Sequence, residues 1–285
     1  MVSIIILTYN SSAYIKELIE SIFEFNKKES IELIVVDNNS TDDTVRVVSK
    51  IKEPKTKIRL IVNDQNLGFA KGINTGAKVA SGEYLLFVNP DARWKKGSVD
   101  SFIETINSNI NIGIVGGKLV GKNGELEKSC GKFFGLLASI SIALGLDDKV
   151  GVRFSPKREE IVDFVSGGFM FIKTNLFMKL NGFDEHYFMY IEDMDLCFRA
   201  RFSGYTTHFT PAVILEHVSH GSSNKSFAIR NIYKGIFYFH KKHGTPFSYV
   251  VVKSLFKLKA ISLVLIGKIM NNKYLSDTYS GALKS

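Results

Sequence analysis

Residues 189–205 read MYIEDMDLCFRARFSGY, with three carboxylates, Glu192, Asp193 and Asp195, inside four positions and Tyr187, Phe188 and Tyr190 beside them. Acids this close repel one another and lose hydration next to aromatic rings, so the cluster calls for compensation. A helix over about 191–202 sets Asp195 and Arg199 at i and i+4 in acid-first order, a pair worth a few tenths of a kcal/mol on an exposed face. Asp195 therefore reads as structural, and Leu196, Cys197 and Ala200 face the core. Glu192 and Asp193 fall in the first turn, where the helix dipole favours negative charge. Decoration of a helix start accounts for these two acids; so does proton transfer, because a carboxylate in an aromatic-walled pocket accepts a hydroxyl proton.

The elements upstream favour the second account. Residues 2–7 (VSIIIL), 31–36 (IELIVV), 58–62 (IRLIV) and 84–88 (YLLFV) are short β-branched runs suited to strands buried on both faces. Between them lie amphipathic helices. Ile15, Leu18, Ile19, Ile22 and Phe23 recur at helical spacing. A second helix is expected from STDD, with Ser40 capping and Asp43 three residues on, and a third over about 69–80 after Gly68. Strand–helix alternation with short links predicts a doubly wound, mainly parallel α/β sheet. Thr8-Tyr9-Asn10, Asp37-Asn38-Asn39 and Asn89-Pro90-Asp91 fall where strands end. In open α/β sheets that edge binds ligands, so three loaded ends make one site. They lack a general base, which the acidic cluster supplies.

Past residue 110 the pattern changes. IGIVGGKLV, Asn123-Gly124 and ELEKSCGKF resemble a hairpin about an NG turn. Residues 134–160 read as a helix or a flap. IVDFV (161–165) is strand-like, and FMFIK and a short helix NLFMKL follow.

The net charge of +9 is unevenly placed: residues 225–285 carry eleven Lys/Arg against Asp277 alone, while residues 1–224 carry 26 bases and 27 acids. A neutral main domain argues against nucleic acid as a partner, and the basic tail is suited to an anionic one. Phe227, Ile232, Tyr233, Ile236, Phe237 and Phe239 form an apolar arc within 226–243. Lysines 253, 257, 259 and 268 interrupt 249–270, whose longest charge-free run, 260–267, is too short to span a bilayer. Such helices suit an anionic membrane interface, or they dock on the main domain with lysines outward. Cys130 and Cys197 match no metal spacing and read as reduced thiols of a cytoplasmic protein. MVSIIILTYN reads as a strand that begins at once rather than a signal peptide.

The order ILTYN, VVDNNSTDDT, NLGFAKGINTG, GEYLLFVNPDA, SGGFMFIK, NGFDEHYFMYIEDMDLCFRARFSGY and LEH, over about residues 2–220, resembles glycosyltransferase family 2 in its rhamnosyltransferase-like branch. The resemblance implies a GT-A fold over 1–224, with a nucleotide-sugar half (1–110) and an acceptor half (111–224). It also implies a dTDP- or UDP-sugar donor, a glycan or polyprenyl-linked acceptor, a divalent metal (Mg²⁺ or Mn²⁺) and inversion at the anomeric carbon. Position by position, Asp37 takes the nucleobase and Thr8, Tyr9 and Asn10 line the nucleoside pocket. Asn66, Gly68, Lys71 and Asn89 border the nucleotide, Asp91 and His217 meet the metal or diphosphate, and Asp193 is the base. The family's D-x-D is here Asn89-Pro90-Asp91, so a neutral amide replaces one carboxylate and metal binding weakens. His220 and the residues after it are a weaker diphosphate contact. Arg199 is explained by Asp195, and Arg201 by a solvated helix end. Together with the basic tail, a peripheral position on the inner face of the cell membrane follows.

Two other classes compete. A dinucleotide-dependent dehydrogenase needs G-x-G-x-x-G after the first strand, where TYNSSA stands. A non-catalytic scaffold on a transferase-like fold gives no reason for Asp37, Asp91 and Asp193 to occur together.

Overall fold

The structure is a computed structural model that describes residues 1–27, 30–52, 56, 58–217 and 225–285. The four β-branched runs form β1 (Val2–Thr8), β2 (Ile31–Asp37), β3 (Ile58–Val62) and β4 (Tyr84–Val88), with α1 (Ile15–Phe25), α2 (Thr44–Lys50) and α3 (Gly68–Ala77) between them. β1, β2 and β4 are buried almost throughout, whereas β3 is the half-exposed sheet edge. β1 pairs in parallel with both β2 and β4, and β2 with β3.

The second half runs β5 (Ala92–Lys96), α4 (Val99–Asn107), β6 (Ile112–Val120), β7 (Cys130–Gly131), α5 (Leu136–Ala143), β8 (Arg153–Phe154), β9 (Glu160–Val162) and β10 (Phe164–Val165). β11 (Phe169–Lys173), α6 (Thr174–Lys179), α7 (Glu192–Phe202) and β12 (Thr206–His217) complete it. The main sheet has the order β3-β2-β1-β4-β11-β6-β12-β5, and β7, β8 and β10 form a small antiparallel sheet. β11 is antiparallel to both β4 and β6, and so joins the parallel half to the rest.

Three local expectations change. α2 starts at Thr44, because Ser40 serves the Asp37 carboxylate with both its N–H (2.8 Å) and its hydroxyl (2.6 Å). The NG hairpin shrinks to the bridge Val120–Leu126 at the end of β6, beyond the stretch 114–116 that β11 pairs. IVDFV splits at Asp163 into β9, paired with β12, and β10, paired with β7. Asp163 instead accepts the Phe133 N–H (3.0 Å) and the Arg201 guanidinium (2.8 Å), which gives the expected solvated arginine a partner.

One core lies on each face of the sheet. α1 and α4 cover one face through Leu18, Ile22, Phe102 and Ile106. The other face takes α3, α6, α7 and the C-terminal helices α8 (Lys225–His243), α9 (Pro246–Ile269) and α10 (Lys273–Leu283). Phe237, Phe239, Val252 and Phe256 join the same cluster as Met194 and Phe209, so residues 225–285 pack onto the α/β body. Their lysines do not simply point outward. The Lys242 ammonium reaches Asp184 (2.7 Å) and Asp195 (2.8 Å), and Lys259 donates to the Ile142 carbonyl (2.9 Å). Burial lowers the affinity of Lys259 for its proton. The solvent side of α9 carries an apolar row, Phe247, Val250, Leu258, Ile261, Leu265 and Ile269, with Ser254, Ser262 and Lys268 also exposed. Among the described residues, no helix is long and apolar enough to cross a membrane.

Candidate active site

The parallel register Thr8–Asp37 sets the first two loaded strand ends side by side. The Thr8 hydroxyl donates to Asp37 Oδ1 (2.8 Å), and the Asn38 N–H closes on the Thr8 carbonyl (2.8 Å). Beyond this edge lies a cavity of about 1000 Å³ whose wall includes Thr8, Tyr9, Asn66, Gly68, Asn89 and Asp91 from the first half. Asp193 and His217 close it from the second half. Seven strand-end and loop residues singled out from the sequence thus meet Asp193 in one place.

Asp37, Asn10 and Lys71 stand outside that wall. Asp37 is fully buried, and three hydrogen bonds from Thr8 and Ser40 hold its carboxylate. Asn10, at φ 52°, uses its side-chain oxygen to accept the Thr41 N–H (2.8 Å). Lys71 lies on the exposed side of α3. The wall residue at the second strand end is Asn38, whose amide donates to the Gly68 carbonyl (3.0 Å) and accepts from Asn63 (2.8 Å). Its signal in the sequence was present, one position past a strand that ends in an acid. His220 lies outside the described residues.

Asp91 is almost fully buried in the wall. His217 pairs with Ala92 in the β12–β5 register, which carries its imidazole to the same cavity. His217 Nδ1 bonds the carboxylate of Glu127, a wall residue that nothing in the sequence marked. No group of three or more His, Cys, Asp or Glu able to hold a metal occurs among the described residues. Two or three protein donors fit a hard cation that takes its other ligands from substrate phosphates, as Mg²⁺ usually does.

α7 opens on strained backbone. Tyr190 (φ 72°) and Ile191 (φ 75°) are both left-handed, and a β-branched residue in that region is an outlier that surrounding packing must hold. Gly235 of α8 lets the two segments touch, since a Cβ there would sit 2.6 Å from Ile191 Cγ1. The turn carries Asp193 to the wall, where Oδ2 accepts the Gly167 N–H (3.0 Å) and Oδ1 the Met194 N–H (2.8 Å). Asp195 points away from the cavity and is fully buried, not exposed as the i,i+4 pairing alone suggests. It accepts from Arg199 (2.6 Å), Lys242 (2.8 Å) and His243 (2.7 Å). Burial works to raise its proton affinity, but these three donors outweigh it and hold the carboxyl below its ordinary value. Glu192 goes the other way: burial and the adjacent Asp193 push its carboxyl well above the usual range.

A mixed sheet with a polar cavity on the carboxyl edge of its parallel half and helices packed on both faces is a GT-A fold. The mannosyltransferase PcManGT from Pyrobaculum calidifontis, solved with GDP-Man and Mn²⁺, matches with TM-score 0.59 and 19% identity over 99% of this chain and 74% of that one. S. aureus TarS 1–349 with UDP matches with TM-score 0.55 and 18% identity over 98% and 91%. At such identities the likeness concerns the fold.

Sequence likeness goes further. Residues 3–179 match glycosyl transferase family 2, and residues 154–222 match the N-terminal domain of galactosyltransferase. Rhamnosyltransferase WbbL of Escherichia coli is 28% identical over 236 residues, 80% of this chain and 86% of that protein. The N-acetylglucosaminyl-diphospho-decaprenol L-rhamnosyltransferase of Mycobacterium tuberculosis is 24% identical over 245 residues, 77% of this chain and 76% of its own. The chain belongs to glycosyl transferase family 2. It is a glycosyltransferase that uses a nucleotide-sugar donor.

Proposed function

We propose that this enzyme moves rhamnose or another hexose from a dTDP- or UDP-sugar to a hydroxyl of a polyprenyl-diphosphate-linked glycan, with inversion. The observation that carries the reading is the single cavity shared by Asp193 and the polar strand ends Thr8, Asn38, Asn89 and Asp91. The strand ends hold the nucleotide, and the apolar part of the wall, with Phe134, Phe164, Phe227 and Ile232, receives the acceptor. The acceptor in the name of the Mycobacterium tuberculosis relative, an N-acetylglucosaminyl-diphospho-decaprenol, supports a lipid-linked sugar.

In this reaction Asp193 removes the proton of the acceptor hydroxyl. The oxygen attacks the anomeric carbon from the face opposite the nucleoside diphosphate, through an oxocarbenium-like transition state. The backbone N–H groups of Gly167 and Met194 keep the base aimed. Asp91 and His217 are the residues that would hold a divalent cation, with Glu127 orienting the imidazole. When bound, the cation neutralises charge on the departing diphosphate.

The exposed apolar row of α9, bordered by Lys253, Lys257 and Lys268, supports docking on an anionic lipid surface where such acceptors reside. The test is nucleotide release from a panel of UDP-, dTDP- and GDP-sugars with a synthetic polyprenyl-diphosphate N-acetylglucosamine as acceptor. Acceptor-dependent release from one donor is expected, and release from none sinks the reading. Flotation with anionic liposomes tests the lipid contact, with Leu258→Asp and Ile261→Asp expected to abolish it.

A further inference from the structure

Glu192, Asp193 and Asp195 share one helical turn and have three different environments. Asp195 is matched by three basic side chains, and Asp193 by two backbone N–H groups. Glu192 is 4% exposed, yet its Oε2 has no hydrogen-bond partner among the described residues. A buried carboxyl oxygen without a partner is costly, and a purely structural acid would be satisfied as Asp195 is. Glu192 instead lines the cavity beside Asp193. The left-handed Tyr190–Ile191 turn, backed by Gly235, holds it there.

Two carboxyl groups at adjacent positions of a partly dry wall do not both ionise readily. The pair is asymmetric in its donors: two backbone N–H groups reach the Asp193 carboxylate, whereas Glu192 has only its own backbone N–H and none at Oε2. Environments that separate two neighbouring acids separate their tasks.

We propose that Glu192 works un-ionised, donating a hydrogen bond from its carboxyl to a hydroxyl or ring oxygen of the acceptor sugar, and so holds that sugar against Asp193. The inference rests on the proposed transfer to a sugar hydroxyl. It adds a neutral donor for an uncharged polyol to a wall that also carries Asp91, Glu127 and Asp193. No proton leaves Glu192 during turnover; it supplies orientation, and Asp193 supplies the base.

The test compares Glu192→Gln, Glu192→Ala and the volume-matched Glu192→Met with the wild-type enzyme, using dTDP-rhamnose and polyprenyl-diphosphate N-acetylglucosamine. Glutamine keeps a neutral donor, so acceptor KM should stay within about threefold. Alanine and methionine should each raise acceptor KM by about tenfold or more, roughly the worth of one lost hydrogen bond, with donor Kd unchanged. Glutamine as damaging as alanine, or an unchanged acceptor KM in the alanine and methionine variants, overturns the proposal. Infrared difference spectra of wild type against Glu192→Gln give a readout that needs no turnover. A protonated-carboxyl band present at neutral pH and lost in the variant is expected, and its absence from the wild type overturns the proposal. A wild-type enzyme that shows the band but transfers no sugar overturns the functional reading instead.

Discussion

The N–H of Phe69, at the start of α3, donates a 2.6 Å hydrogen bond to the carbonyl of Phe188, just ahead of the acidic turn. This contact stitches the strand-end side of the cavity to the side that carries Asp193. Gly68 makes it possible, at φ 79° and with so little room that a Cβ would sit 2.3 Å from the Phe188 oxygen. Gly68→Ala should therefore pry the two loops apart. A left-handed alanine alone costs about 1–2 kcal/mol. Steady-state kinetics should show a raised donor KM and a lowered kcat together, and a change confined to thermal stability would contradict the stitching role.

Asp193→Asn removes the proposed base and keeps the side-chain volume. Turnover should fall by about 10²–10⁴, the usual contribution of a positioned general base. Donor affinity, measured by calorimetry, should stay at the wild-type level. A variant that retains most of its activity would show that the proton goes elsewhere.

Asp195 is a matter of stability. Taking away one partner of a buried ion cluster leaves the others uncompensated, so Asp195→Ala should cost about 3–5 kcal/mol in urea unfolding. His243→Ala and Lys242→Ala should each cost less, because Arg199 still pairs with the carboxylate. A loss under about 1 kcal/mol for Asp195→Ala would place the cluster among weak surface pairs.

Acid and base limbs of stability should have separate origins. Burial tends to raise Asp184 and Asp195, yet the donors around them prevail, Lys242 and His186 at the first and His243, Arg199 and Lys242 at the second, and both end below the ordinary aspartate value. Their stabilisation is fully present above about pH 3.9, the unfolded value, and is lost as pH falls through the lower folded values. Glu192 has the opposite sign. Its folded value is raised by burial and by Asp193, so its contribution is complete below the unfolded value and declines as pH rises toward the folded one. Glu192→Gln should thus gain melting temperature relative to wild type as pH increases from about 4.3 upward. A difference that does not vary with pH would mean that Glu192 is ionised in the native state.

Both cysteines are buried and free, and burial pushes each thiol up to about 12. Neither supplies thiolate near neutral pH, so a thiol-specific reagent should label the protein only on unfolding. Fast labelling of the native protein would contradict this burial.

The parallel half was open to reading because β-branched runs flanked by polar ends admit few other structures. Strands β1 to β4 and helix α7 fall within a residue or two of where the pattern set them. What escaped depends on partners distant in the chain. Ser40 looks like a cap until Asp37 claims it, and IVDFV looks like one strand until Asp163 turns toward Arg201. Glu192 and Asp193 are equivalent as letters, and only the fold separates a satisfied acid from an unsatisfied one. Glu127 and Arg153 reach the cavity from short segments with no periodicity to announce them. The three expected nucleotide contacts that lie outside the wall do so for separate reasons: Asp37 turns inward where Asn38 does not, Asn10 sits in a left-handed turn that binds Thr41, and Lys71 is on the exposed side of α3.

The seating of α8 bears on how this enzyme can be trimmed. Phe227 and Ile232 belong to the cavity wall, Gly235 backs the strained turn, and Lys242 and His243 help neutralise Asp195. A chain stopped at residue 224 would lose part of its cavity wall and leave the buried Asp195 carboxylate with Arg199 as its one basic partner among those named. Efforts to crystallise or engineer a minimal catalytic piece should therefore retain this helix and shorten the protein, if at all, beyond it.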